Sequence, residues 1–391
     1  MHPLAINYII FAVFLLFLTL FGIKKAKIQK GEIVFLTASF FTLMLLHAGV
    51  KINSVEDLPR YEDTFKFIAN ADFKNIYGLI KNTDYFWAIF NKLCSYVTYD
   101  FTFLLLVYNL FLIGTHFLLA KKYSPYIPVS IVVFLLISYN QSLFVLRQYM
   151  AISFLLWTIP CIINRKLIPY LILCILAFYT HSSALIWFPI YFVYNIKNIK
   201  IFYFVIFLFA ILMSFLNTNI GHLIILLGLE FESYVDVSVQ WNMTIKFIAV
   251  SYLLTYVFAL KSHVLDEGIN KLCFLILLIY AICYIFAPPV NLLARILKYF
   301  EVFLFLSVPI TMSYIKSKSI RLFYIITIMM LQGFLSLRAL DEFYFCDYFF
   351  DGVSFDYFIL IIIFYLLGLY LFKKDFFCNS NNQISTFENC N

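Results

Sequence analysis

Apolar runs of membrane-spanning length follow one another almost from end to end of the 391-residue chain. A helix needs roughly 20 apolar residues to cross a bilayer. Runs near 4–22, 33–50, 101–120, 126–144, 149–163, 167–179, 184–194, 201–216, 245–260, 272–287, 296–314, 322–337 and 355–372 predict 13 spans, to within one or two. The three between 149 and 194 are short and contain Pro160, Pro169 and Pro189. A proline removes a helical donor, and irregular backbone at membrane depth needs protein or water around it. Tilted or broken helices around a cavity are therefore expected there.

Polar stretches interrupt the pattern near 51–100, 217–245 and 338–354, and a polar tail occupies 375–391. The first carries Glu56, Asp57, Arg60, Glu62, Asp63, Asp72 and Asp84, too many charges to cross a bilayer. A short helix over 53–70, with Ser54 or Asp57 near its start and Pro59 in its first turn, suits the usual start signals. Tyr85, Phe86 and Trp87 suit an interfacial depth, so this loop should hold one or two amphipathic helices at the membrane surface.

Charge orients the chain. Lys24, Lys25, Lys27 and Lys30, the pairs Lys121/Lys122, Arg165/Lys166, Lys197/Lys200 and Lys261/Lys271, then Lys316, Lys318 and Arg321 and finally Lys373/Lys374 alternate with the acidic stretches. Short basic loops face the cytoplasm. That puts the N-terminus and the three long loops outside, with the C-terminus and its tail cytoplasmic. The chain is 64% hydrophobic and 13% charged, against roughly 25% charged for a soluble domain. We therefore expect an all-α polytopic integral membrane protein, with residues 1–374 as one transmembrane domain. The net charge of +7 is scattered over loops, which argues against nucleic acid. The first run lacks a basic flank and a cleavage site and reads as a retained helix. Cys161, Cys174, Cys273 and Cys283 lie in apolar runs and read as small core residues. Cys94 and Cys346 fall in expected outer loops, where a disulfide would be permitted.

Ionisable groups at the edges of apolar runs are the candidates for chemistry, because a membrane chain retains them at a cost. Arg147 reads either as a snorkelling interfacial arginine or as an anion clamp, with Gln148 beside it as a further donor. His181, flanked by Thr180, Ser182 and Ser183, reads as a structural residue or as a general base near neutral pH. Arg295, Lys298, Tyr299 and Glu301 share one helix, either as a second cationic cluster at the same outer cavity or as an interfacial Lys298–Glu301 anchor. Arg60 with Tyr61, and Arg338, are loop residues that are solvated or reach the site. His47, His116 and His222 read as structural. No metal-ligand spacing, P-loop or dinucleotide fingerprint occurs, so neither a metal nor another cofactor is expected.

The segments DLPRYEDTF (57–65), LRQYMAISFLLW (146–157), FYTHSSALIWFPIY (178–191) and ARILKYFEVFLFLSVP (294–309) together resemble the EpsG family, over roughly residues 30–340. That family includes Wzy-type O-antigen and capsule repeat-unit polymerases. The resemblance implies a bacterial inner-membrane glycosyltransferase of GT-C-like architecture. It would move a glycan from undecaprenyl pyrophosphate onto a new lipid-linked repeat unit, without metal or nucleotide sugar. Its partners would be the undecaprenyl-pyrophosphate-linked oligosaccharide, the bilayer and a chain-length regulator. Arg147 and Arg295 would hold the pyrophosphate, His181 would activate or orient the acceptor hydroxyl, and Arg60 and Tyr61 would close the site. No carboxylate is evident beside His181. An O-antigen ligase or another polyprenyl-linked transferase is the first alternative, which His222 in the second outer loop keeps open. A flippase is the second, although neither mid-membrane charge nor repeat symmetry is seen. An O-acetyltransferase would need its base on the other face.

Overall fold

The structure is a computed structural model that describes residues 58–72, 84–139, 141–142, 145–226, 243–286, 291–317, 319–321 and 323–328. Among these residues every regular element is helical. The first two elements, α1 (Leu58–Asn70) and α2 (Tyr85–Ser95), lie in the first polar loop. In α1, Leu58, Tyr61, Phe65 and Ile68 are buried, a spacing of three and four that gives one apolar face. Lys92 of α2 closes the end of α1. Its Nζ donates to the carbonyls of Ile68 (3.3 Å), Ala69 (2.9 Å) and Ala71 (2.8 Å). A helix end exposes carbonyls with no intrahelical donor, and a lysine there satisfies them and suits the dipole.

α3 (Phe101–Tyr123) is capped by Asp100, which accepts from the Thr102 amide at 2.9 Å. α4 (Ile127–Phe134) widens into a π-helical turn over Leu135–Tyr139. The next span divides at Trp157 into α5 (Leu146–Leu156) and α6 (Thr158–Ile163), just ahead of Pro160. α7 (Leu167–Thr180) is unbroken. Its Pro169 sits in the first turn, where the missing N–H would have had no partner anyway. A 3-10 segment (Ser182–Trp187) and α8 (Ile190–Tyr194) follow, separated at Pro189. Of the three prolines, two therefore mark breaks and one does not.

Asn198 starts α9 (Ile199–Leu226), accepting from the Lys200 amide at 2.9 Å. This helix continues past residue 216, where the apolar run ends, into the expected second loop. The continuation contains Gly221 but no proline, and a glycine weakens a helix by only about 1 kcal/mol. α10 (Met243–Leu260) likewise starts inside that loop. α11 (Ile269–Phe286), α12 (Asn291–Glu301) and α13 (Leu304–Tyr314) complete the bundle. α5 packs on α3 and α7, α10 on α11 and α13, and α13 on α4.

Five helical stretches of the described residues are long and apolar enough to cross a membrane: Phe101–Tyr123, Leu146–Ile163, Ile248–Leu265, Ile269–Phe286 and Arg295–Tyr314. Shorter apolar helices stand beside them, and the chain is a multi-pass membrane protein. The expected spans at 4–22, 33–50 and 355–372, the third outer loop and the tail lie outside the described residues. The bundle turns apolar side chains outward as well as inward. On α7, Tyr170, Cys174 and Ala177 are buried, while Ile168, Ile172, Ile175 and Tyr179 form an exposed stripe. Such a stripe suits hydrocarbon and not water.

Among the described residues, basic loops gather at one end. There Arg165 pairs with Glu267 at 2.6 Å, Lys271 donates to the Ile196 carbonyl at 3.2 Å, and Arg321 donates to the Tyr126 hydroxyl at 3.0 Å. Gly268 turns the chain there with φ of +114°, a conformation that a side chain would strain. Two local expectations change. Trp87 is buried against Tyr61 (ring centroids 5.7 Å apart) and faces α1 rather than the surface. Cys94 is buried and free; Cys346 lies outside the described residues. Cys161, Cys174, Cys273 and Cys283 are free and buried.

Candidate functional site

At the end of the bundle away from the basic loops, a cavity of about 260 Å³ opens between α1, the start of α2, the start of α5, the turn after α7, and α12. Its lining includes Arg60, Tyr61, Asp84, Arg147, His181 and Arg295. These residues come from segments far apart in the chain, and each is held by local structure.

Arg147 is in the first turn of α5. Its guanidinium pairs with the carboxylate of Asp84 and lies 5.7 Å from the centre of the Tyr61 ring. Among the described residues no acceptor reaches its Nε. Asp84 stands at the N-cap position of α2 but makes no capping bond, because its carboxylate turns to Arg147. Burial lifts the Asp84 carboxyl above its ordinary pKa, and the charge and hydrogen bond of Arg147 offset part of that lift.

His181 ends α7 in an extended conformation, its amide donating to the Ala177 carbonyl at 2.9 Å. The 3-10 turn that follows is pinned from below. Trp187 donates from Nε1 to Thr158 Oγ1 at 3.0 Å, and the Tyr170 hydroxyl donates to the Trp187 and Phe188 carbonyls at 2.7 and 3.0 Å. Ser183 Oγ and the Tyr299 hydroxyl are 3.0 Å apart. The imidazole thus sits at a fixed point between α7 and the 3-10 segment. Burial, with Arg147 and Arg295 nearby, pulls its pKa down to about 3, so it is neutral at ordinary pH. A neutral imidazole offers one donor and one acceptor nitrogen.

Not every candidate faces the cavity. Gln148 is buried, and its Nε2 donates to the Arg295 carbonyl at 2.5 Å. It ties α5 to α12 beneath the two arginines. Lys298 is absent from the lining; its ammonium pairs with Glu301 at 2.6 Å, and Tyr280 also donates to that carboxylate at 3.3 Å. Tyr299 is buried and braces the His181 turn through Ser183. Arg338 and His47 lie outside the described residues. His116 is fully buried, 2.8 Å from the Leu112 carbonyl and packed against Phe134, in a structural setting. The backbone of His222 falls within α9.

Asp84 is the site residue that sequence reading did not single out. An aspartate just before a helix reads as a cap, and nothing local signals that it pairs across 63 positions. The described lining thus brings three arginines and one carboxylate together, with a neutral imidazole on its wall. Chemically, that arrangement suits a multiply charged anion beside a hydroxyl.

No curated protein and no solved structure matches the chain. The model of the EpsG family matches residues 33–350, most of the chain and every described element, and the protein therefore belongs to the EpsG family.

Proposed function

We propose that this protein is a repeat-unit polymerase of bacterial surface polysaccharide. It transfers a glycan from undecaprenyl pyrophosphate to a hydroxyl of a new lipid-linked repeat unit, at the outer face of the cytoplasmic membrane. Membership of the EpsG family is consistent with polysaccharide synthesis at a membrane. The observation that carries the finer reading is the convergence of Arg60, Arg147 and Arg295 with His181 in one cavity opposite the basic loops. An outward-facing cavity is supported by the rule that basic loops mark the cytoplasmic side.

In the reaction, the bond between the anomeric carbon and the pyrophosphate oxygen breaks. The electron pair leaves with pyrophosphate, and the acceptor oxygen bonds to the anomeric carbon. Arg147 and Arg295 receive the growing charge, an electrostatic role strengthened by their fixed positions. Asp84 holds the guanidinium of Arg147 from one side and fixes its place on the cavity wall. His181 takes the acceptor proton. Burial and the two arginines lower its basicity, and a bound pyrophosphate opposes the arginines and raises it. Arg60 and Tyr61 close the site from α1.

Deletion in the native host, with surface glycans resolved on a gel, tests this reading. The expected result is collapse of the long ladder to core carrying a single repeat unit, restored by wild type and not by Arg147→Ala. Loss of all glycan from the core, with lipid-linked polymer accumulating, would make the protein a ligase. A full ladder in the deletion strain would refute the proposal.

A further inference from the structure

A second cavity, of about 590 Å³, lies at the opposite, basic end of the bundle. Arg165, Lys197, Lys271 and Glu267 line it, with Ile199 and Phe202. Several bonds hold it in shape. The Tyr194 hydroxyl accepts from the Gly268 amide at 2.8 Å and donates to the Gly268 carbonyl at 3.2 Å. Lys271 reaches the Ile196 carbonyl at 3.2 Å, and Arg165 pairs with Glu267 at 2.6 Å. The loops before α7, after α8 and before α11 are joined in this way. Arg165 itself adopts φ of +55°, which is unusual for a residue with a side chain. Three cations against one carboxylate make the pocket an anion receptor.

The surroundings choose between a soluble anion and a lipid. Ile199 sits on the rim and is 44% exposed. At steps of four along α9, Tyr203, Phe207, Ile211 and Phe215 are also exposed among the described residues. A step of four keeps side chains on one ridge of a helix. An apolar ridge therefore starts at the cationic pocket and runs along the bundle toward the other end. From Ile199 to Ile211 it rises about 18 Å at 1.5 Å per residue, close to the ~15 Å of one leaflet of a hydrocarbon core roughly 30 Å thick. A phosphate diester in the pocket would lay its tails along this ridge. Basic pockets between spans at the cytoplasmic surface are suited to such headgroups.

We infer that this pocket binds the headgroup of an anionic phospholipid of the cytoplasmic leaflet, with Arg165, Lys197 and Lys271 on the phosphate and the α9 ridge under the acyl chains. The site is separate from the cavity with His181: α7 alone puts about 20 Å between Arg165 and His181. A lipid seated there would tie the α7–α8 hairpin to α11 at a constant depth in the bilayer.

The test is native mass spectrometry of the purified full-length protein in detergent, titrated with phosphatidylglycerol, phosphatidylcholine or inorganic phosphate. Wild type should retain phosphatidylglycerol over phosphatidylcholine. Lys197→Gln removes an exposed cation that takes no part in the bonds that hold the pocket, and should lower retention about fivefold, the value of one cation at a lipid surface. Glu267→Gln removes the competing carboxylate and should raise it. Arg165→Gln with Lys271→Gln should abolish the preference. Equal retention of the two lipids, or no response to either Lys197→Gln or Glu267→Gln, would overturn the assignment. Binding of inorganic phosphate as tight as that of phosphatidylglycerol would make the pocket a site for a soluble anion and refute the lipid.

Discussion

At the scale of single residues, the cavity depends on the pairing of Arg147 with Asp84 beside Tyr61. Arg147→Ala should slow polymer formation about 10²- to 10³-fold, the usual effect of removing one donor to a developing anion. Arg147→Lys should recover little, because an ammonium lacks the planar fork that can hold carboxylate and phosphate together. Asp84→Asn keeps an acceptor for the guanidinium and should lose less than Asp84→Ala; in vitro transfer from a lipid-linked donor measures all four. His181 gives a second prediction. Its folded pKa of about 3 lies below the unfolded value of about 6.5. As pH falls through that window the unfolded chain takes up the proton first, so this residue subtracts stability from about pH 6.5 downward. Thermal midpoints in detergent should therefore fall less steeply with acid in His181→Gln than in wild type. Identical pH profiles would show that the imidazole is not held neutral. Arg147 and His181 were legible from their chemistry alone, because ionisable groups at the ends of apolar runs stand out. Asp84 was not, because its sequence context is that of an ordinary cap.

Among the elements, α1 and α2 do most to shape the site, although they belong to a polar loop. Lys92 joins them through three carbonyls at the end of α1, and α1 in turn carries Arg60 and Tyr61 to the cavity. Ile68 O would keep the Ala71 amide, but Lys92→Met would take the ammonium donor from the Ala69 and Ala71 carbonyls, at a cost of about 1–3 kcal/mol. Expected consequences are faster proteolysis within 58–95 and a raised KM for the lipid-linked donor with a smaller change in kcat. Lys92→Arg should restore part of both, and an unchanged KM would mean that α1 does not position donor-binding groups. The helix expected over 53–70 could be read from its start signals and Pro59, and the part of it within the described residues is α1 (Leu58–Asn70). The burial of Trp87 could not be read, since an aromatic residue beside a membrane segment fits an interface equally well. The extension of α9 beyond its apolar run was likewise hidden, because a polar stretch without proline is compatible with both helix and loop.

Across the whole molecule, the two ends differ in charge chemistry. Arg165, Lys197 and Lys271 cluster at one end, and the cavity with Arg147, His181 and Arg295 opens at the other. Single cysteines should report this directly in intact spheroplasts. Thr64→Cys, on the rim of the outer cavity, should react with a membrane-impermeant maleimide, and Lys197→Cys should react only after permeabilisation. The reverse pattern would invert the proposed orientation. Native thiols among the described residues are buried; for this labelling Cys346, Cys378 and Cys390 are replaced by serine in the parent protein, so that it reports only the introduced thiol.

Hydropathy and charge order were enough to establish a helical, multi-pass chain and to separate its basic loops from its acidic ones. Both are properties of local composition, because every span must satisfy its own backbone hydrogen bonds and face hydrocarbon regardless of its neighbours. The partners of the candidate residues required the packed bundle. Gln148 holds the Arg295 backbone, Lys298 is taken by Glu301, Tyr299 braces Ser183, and Asp84 reaches Arg147. The Asp84, Gln148 and Ser183 contacts join residues more than 60 positions apart. Lys298 and Glu301 are three apart on α12, a spacing that allowed either a cavity-facing cluster or the ion pair, and the packing around Tyr280 selects the pair. Helix spacing constrains which neighbours on one helix can meet, whereas contacts between helices follow from how their faces fit together.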